Sequence, residues 1–327
     1  MMRPSSLLIV MVTIVVSFSK GSWAQQLEPV RVFVMAGQSN MEGQAVVDLT
    51  GKDYNDGKGT LLALLNREDC RDKISHLLTE QGRGKPRDDV WVRYQREDRP
   101  LLVGPLDFGF SVYGDRHHFG PELQFGHVMG EALDEPVLII KTAWGGKSLY
   151  RDFRPPSSEG DTGKYYSLMI AQIREALQQY PAEIPALKGR DYRLSGLVWY
   201  HGWNDGVDPK NAVPEYENNL KNLINDVRRD LRSPNLPVVI GEITGPWRNA
   251  PPEWEKLRKA QASVAMNQEL GKFVGFVPTR DFVRAAEDSP NPTHGHHEFG
   301  NAETYFLVGD ALGQEMVRLL KIPKHEE

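Results

Sequence analysis

Cysteine is nearly absent: the 327-residue chain has one, Cys70, so no intrachain disulfide can form and the fold must rest on an ordinary hydrophobic core. Cys70 also lies far from any N-terminal cleavage point, so no lipid anchor is expected. Positive charge is in short supply, with 39 Lys and Arg against 44 Asp and Glu and a formal net charge of −5. A chain without a basic excess is not expected to bind nucleic acid, whose phosphates call for a basic face. Long apolar runs are missing too. The run 7–16 falls short of the roughly 20 residues a spanning helix needs, and no later stretch approaches it, so no membrane span is expected. Gly-x-Ser-x-Gly, Gly-x-Gly-x-x-Gly, a phosphate-binding loop and His-Glu-x-x-His are all lacking, and no cofactor is expected.

What is present begins with Arg3, the apolar run 7–16 and the small-x-small pattern Ser22-Trp23-Ala24. These mark 1–24 as a signal peptide and predict a secreted protein, periplasmic or extracellular. The remainder, 28–325, is long enough for one large domain. Apolar runs at 30–35, 137–140, 194–200, 238–240 and 273–277 each end in glycine, a small polar residue or a turn, as buried parallel strands do. Helical patterns at 166–179, 216–231, 254–266 and 303–320 lie between and after them. Strand alternating with helix predicts an α/β fold with a parallel sheet covered on both faces. The stretch 44–120 breaks the rhythm and reads as an insertion, with one helix near 61–78 and one strand near 90–94; loops at the carboxyl ends of strands often carry substrate contacts.

Gly37-Gln38-Ser39-Asn40-Met41, followed by Glu42-Gly43, comes directly after the first strand. A serine at a strand-to-helix turn has its hydroxyl at the sheet's edge, beside backbone N–H groups that can hold an oxyanion. A serine so placed can equally serve as a helix cap. The neighbours decide, because this stretch resembles the first block of the SGNH hydrolases, and within them the sialate O-acetylesterase-like and carbohydrate esterase family 6 group. Ala143-Trp144-Gly145-Gly146-Lys147-Ser148 and Gly202-Trp203-Asn204-Asp205 follow in the order of that group's second and third blocks. The resemblance implies a three-layer α/β/α sandwich around a five-stranded parallel sheet, of the SGNH or flavodoxin-like kind. It also implies a serine esterase removing acetyl groups from carbohydrates, on sialic acid or a plant or algal polysaccharide. Ser39 would be the nucleophile. The N–H groups of Ser39 and Gly146 and the Asn204 side chain would form the oxyanion hole.

The general base should come from His294-Gly295-His296-His297, ahead of Asn301-Ala302-Glu303-Thr304-Tyr305-Phe306. Resemblance selects His297, with His296 its nearest rival. The family's simplest pattern, Asp-x-x-His, is not kept, since His294 stands where the Asp would be. Glu287 ranks first as the third triad member, ahead of Asp288 and Asp281, and a Ser–His dyad oriented by a backbone carbonyl stays open. Three neighbouring imidazoles also suggest zinc, but no ligand spacing supports it and no metal is expected. Gln38 and Trp203 are candidate substrate contacts, and Trp144 and Trp247 further stacking surfaces. Arg116, His117, His118, Lys147, Arg151 and Arg154 are candidates for holding an acidic sugar. A sugar-binding protein with impaired chemistry is the rival reading, favoured by the missing Asp. Oligomeric state is not legible.

Overall fold

The computed structural model describes residues 27–245 and 250–321; the expected signal peptide 1–24 and Trp247 lie outside them. The elements run β1 (Val30–Gly37), α1 (Ser39–Glu42), β2 (Ala45–Val46), α2 (Leu61–Leu64), α3 (Glu68–Ile74), β3 (Val90–Tyr94), β4 (Leu102–Pro105) and β5 (His118–Phe119). They continue through α4 (Glu122–Ala132), β6 (Val137–Ala143), α5 (Lys164–Glu183), β7 (Tyr192–Tyr200), α6 (Trp203–Gly206) and α7 (Ala212–Asp230). The last are β8 (Val238–Gly241), α8 (Pro252–Ala265), β9 (Val274–Val277) and α9 (Ala302–Leu320).

β1 shows why the sheet is covered on both faces. Its alternate residues Val30, Val32, Val34 and Ala36 enter a core shared with α5, α7 and α8. Phe33 and Met35 point the other way, into a core shared with α4 and α9. Successive side chains of a strand point to opposite faces, so an unbroken apolar run needs a helical layer on each side. The result is the three-layer α/β/α sandwich expected.

The sheet has seven strands rather than five, in the order β4-β3-β6-β1-β7-β8-β9. The five expected strands are its parallel core, in the sequence second, first, third, fourth, fifth. The two additional strands come from the insertion: β3 joins β6 in parallel, and β4 returns antiparallel to β3 as the edge. β4 escapes a sequence reading because it is short and only half covered. The helix expected at 61–78 is broken into α2, α3 and a short 3₁₀ turn. Arg67, between the helices, is extended (φ −96°, ψ 121°) and its guanidinium reaches Asp69 at 2.6 Å and Glu303 of α9 at 2.8 Å.

A fully buried ion pair fastens the insertion to the sheet. Lys141 of β6 meets Glu122 of α4 at 2.8 Å, and its ammonium also donates to the carbonyls of Glu42 (3.0 Å) and Phe110 (2.6 Å). A buried charge is tolerable only when its hydrogen bonds are met; here α1, α4 and the insertion supply them. No helix among the described residues is long and apolar enough to cross a membrane.

Candidate active site

In an open parallel sheet of this order the strand connections diverge at β1, and ligand sites form at the carboxyl ends of the strands beside such a switch point. Gly37 ends β1 there. A Cβ on it would lie 2.2 Å from the Tyr200 carbonyl oxygen, so only glycine lets β1 and β7 close together where the chain turns into α1. Ser39 is the first residue of α1 and is half-buried. Its hydroxyl makes no hydrogen bond within the described residues.

Three loops gather around it. The loop after β6 packs on it: a Cβ on Gly145 would sit 3.5 Å from the Ser39 Cβ and 2.9 Å from Glu42 Oε2. The Gly145 backbone is hydrogen-bonded to the buried Glu42 carboxyl, whose pKa is raised by burial and partly restored by that bond. Gly146, with φ +73° and open space around its Cα, is the glycine of the pair left exposed.

The loop after β7 is tied to the Ser39 turn by Gln38. This side chain is 1 % exposed, and its amide oxygen accepts from the backbone N–H groups of Gly202 and Trp203, both at 3.1 Å. Asn204, next along α6, is half-buried at that rim. Asp205 is fully buried and accepts from the N–H groups of Leu149 and Tyr150, each at 2.9 Å, which binds the loops after β6 and β7 together. Burial pushes the Asp205 carboxyl up to about 7, against the pull of those two N–H groups. His201 Nε2 donates to the Lys147 carbonyl at 2.9 Å, and burial lowers this imidazole to about 3, so it stays neutral.

The third loop carries the histidines. Asn40 donates to Glu298 Oε1 at 2.9 Å and accepts from the Tyr305 hydroxyl at 2.8 Å, and that hydroxyl lies 3.3 Å from the His297 carbonyl oxygen. His297 is half-buried. Its pKa is lowered to about 4, first by burial and then by His296 and His294. The His296 ring lies 4.0 Å from that of His297 and 6.0 Å from that of Trp203, placing the histidine loop against the Asn204 loop. No hydrogen bond joins His297 to Ser39 within the described residues.

Glu287, Asp288 and Asp281 are all exposed, and none hydrogen-bonds the His297 ring within the described residues. Glu287 contributes through its backbone carbonyl, which accepts from Asn55 at 3.0 Å. The carboxylate nearest in sequence to His297 is Glu298, fully buried but turned to Asn40 and to the Thr244 hydroxyl. Burial raises it to about 7. Glu298 and Phe299 both have positive φ, +50° and +55°, a left-handed turn that accompanies the inward course of the Glu298 carboxylate toward Asn40 and Thr244.

The candidate cations are largely committed. Arg116 pairs with Asp107 at 2.5 Å, His117 with Asp48 at 2.6 Å, His118 with Asp115 at 2.8 Å and Arg154 with Glu215 at 2.7 Å. Lys147 stands over the Tyr165 ring at 4.5 Å, and Arg151 over Tyr150 at 5.6 Å. Trp144 is buried, packed on Phe153 and Tyr165, whereas Trp203 is half-buried against Trp254. Among the described residues the donors that converge as a metal set would are Asp69, Cys70 and Glu303, not the three histidines. Arg67 and Arg284 already neutralise Glu303. The residues sequence reasoning passed over are Asn40, Gln44, Glu298 and Tyr305; the available hint was that Asn40 and Tyr305 both fall inside the quoted blocks.

The sequence profile of the family described as "Carbohydrate esterase, sialic acid-specific acetylesterase" matches residues 29–306. A protein of Arabidopsis thaliana named "Probable carbohydrate esterase" is 27% identical over 217 residues, 65% of this chain and 68% of that protein. The solved structure of an Arabidopsis thaliana protein superposes with a TM-score of 0.55 at 18% identity, over 89% of this chain and 98% of that one. NanS superposes with a TM-score of 0.54 at 14% identity, over 90% of this chain and 98% of that one.

Proposed function

This chain belongs to the carbohydrate esterase family of sialic acid-specific acetylesterases, and from that premise we propose that it hydrolyses acetyl esters on sugars through an acyl-enzyme on Ser39. The observation that carries the reading is the gathering of three distant loops at one rim: Gly145 against Ser39, Gln38 on the Asn204 loop, and Asn40 on the histidine loop.

His297, neutral at pH 7, takes the Ser39 proton as the serine oxygen attacks the acetyl carbonyl. The N–H groups of Ser39 and Gly146 and the Asn204 amide hold the oxyanion. The tetrahedral species collapses, the sugar oxygen leaves with the proton from His297, and water, deprotonated by the same imidazole, releases acetate and restores Ser39. Gln38 acts by aiming the Asn204 loop, since its carbonyl oxygen is already taken; Trp203 remains a sugar contact. With no carboxylate bonded to the His297 ring among the described residues, the pair works as a dyad. Residues 1–24 are removed on export, and the mature protein acts outside the cytoplasm.

The test is acetate release from a panel of acetylated glycans by wild type, Ser39→Ala and Asn204→Ala. Ser39→Ala is expected to abolish turnover and Asn204→Ala to lower it roughly 10²–10³-fold, both remaining folded. Wild-type activity in Ser39→Ala would end the proposal. The missing carboxylate favours one second reading, a sugar-binding protein without turnover; it predicts glycan binding with no labelling of Ser39 by an organophosphonate.

A further inference from the structure

We infer that Tyr113, in the insertion, is the aromatic platform on which the acetylated sugar ring lies. The inference rests on the reading of Ser39 as nucleophile and extends it to the substrate's own ring.

Two glutamines flank Ser39 in the sequence, and each anchors an aromatic residue. Gln38 holds the backbone of Trp203. Gln44, 5 % exposed, accepts from the Tyr113 hydroxyl at 2.8 Å through its amide oxygen, while its amide nitrogen lies 3.5 Å from the Ser39 carbonyl oxygen. The Tyr113 hydroxyl is thus joined to the Ser39 backbone through one buried amide.

The ring is fixed yet half open. The buried His118 imidazole, held by Asp115 at 2.8 Å, packs beneath it with centroids 4.0 Å apart and planes 30° from parallel. Tyr113 nevertheless keeps 46 % of its surface exposed. Ordering a side chain costs entropy, and an aromatic normally offsets that by burying both faces. Here one face is packed, the hydroxyl is bonded and the other face is left to solvent, so the ordering is already complete before a ligand arrives. Among the described residues the other comparably exposed aromatic is Tyr192, which begins β7 beside Val30, at the amino ends of the strands and away from the Ser39 rim.

A neutral pyranose bearing acetyl esters presents an apolar C–H face and no charge. An open aromatic ring suits that face, and the nearby Arg116 and His117 are already paired with carboxylates. Such a contact contributes a factor of about 3–10 to recognition.

The experiment compares peracetylated methyl glucoside with p-nitrophenyl acetate, which has no sugar ring. Tyr113→Ala is expected to lower the ratio of kcat/KM on the glucoside to that on the nitrophenyl ester by about 3–10-fold, mainly through KM. Tyr113→Phe, which keeps the ring, is expected to retain the ratio. Equal losses in Ala and Phe, or an unchanged ratio in Ala, would overturn the inference. Binding of the glucoside to Ser39→Ala and to Ser39→Ala/Tyr113→Ala separates the two readings. Tyr113-dependent binding without wild-type hydrolysis supports the platform while removing the esterase reading, and Tyr113-independent binding removes the platform whatever the hydrolysis shows.

Discussion

Burial takes the His297 imidazole from its ordinary 6.5 down to about 4, helped by the neighbouring His296 and His294. A base works only when unprotonated, so activity that depends on it is lost as pH falls through about 4 rather than through 6.5. The kcat/KM profile should therefore hold level well below pH 6.5, and a His296→Gln variant should move the acid limb upward. A wild-type limb near 6.5 would place the working base elsewhere. The placement of Ser39, Gly146, Asn204 and His297 on loops beside the sheet was legible in the sequence, because each sits in a short local pattern at the end of an element. Glu298 was not, because its role is set by Asn40, 258 residues away, and by a left-handed turn that its sequence does not announce.

Short side-chain ties hold the elements around the site in register. Gln38→Leu leaves the N–H groups of Gly202 and Trp203 without their acceptor, which should cost about 1–3 kcal/mol of stability. Thermal melts would register that as a lower Tm, and turnover should fall further than stability because the Asn204 loop loses its anchor. The five core strands could be read from apolar runs, since burial on both faces removes the alternation that solvent imposes. β4 and the β2–β5 pair could not, being two to four residues long and defined by partners rather than by their own composition. The broken helix at 61–78 has the same origin: its periodicity is sound locally, but Arg67 is drawn to Glu303 on α9.

For the molecule as a whole, two fully buried carboxyls set a pH dependence. Glu298 rises from 4.5 and Asp205 from 3.8, each to about 7, so the folded protein keeps protons that the unfolded chain has released. Their contribution to stability is complete below the unfolded values and is lost as pH rises through about 7. Asp89 and Glu303, whose paired carboxylates are held below their ordinary values, act oppositely and lose their contribution in acid. Tm is expected to decline from about pH 5 to pH 8, and Glu298→Gln to flatten that decline while still accepting from Asn40; an unaltered slope would assign the effect to other groups.

The chain of bonds from Asn40 through Tyr305 to His297 carries one more consequence. Ser39 and His297 lie 258 positions apart, and α9 must dock before the two loops meet. Under the proposed mechanism hydrolysis cannot precede that docking, so in a refolding time course its return would mark the final closure, after most helical signal has recovered.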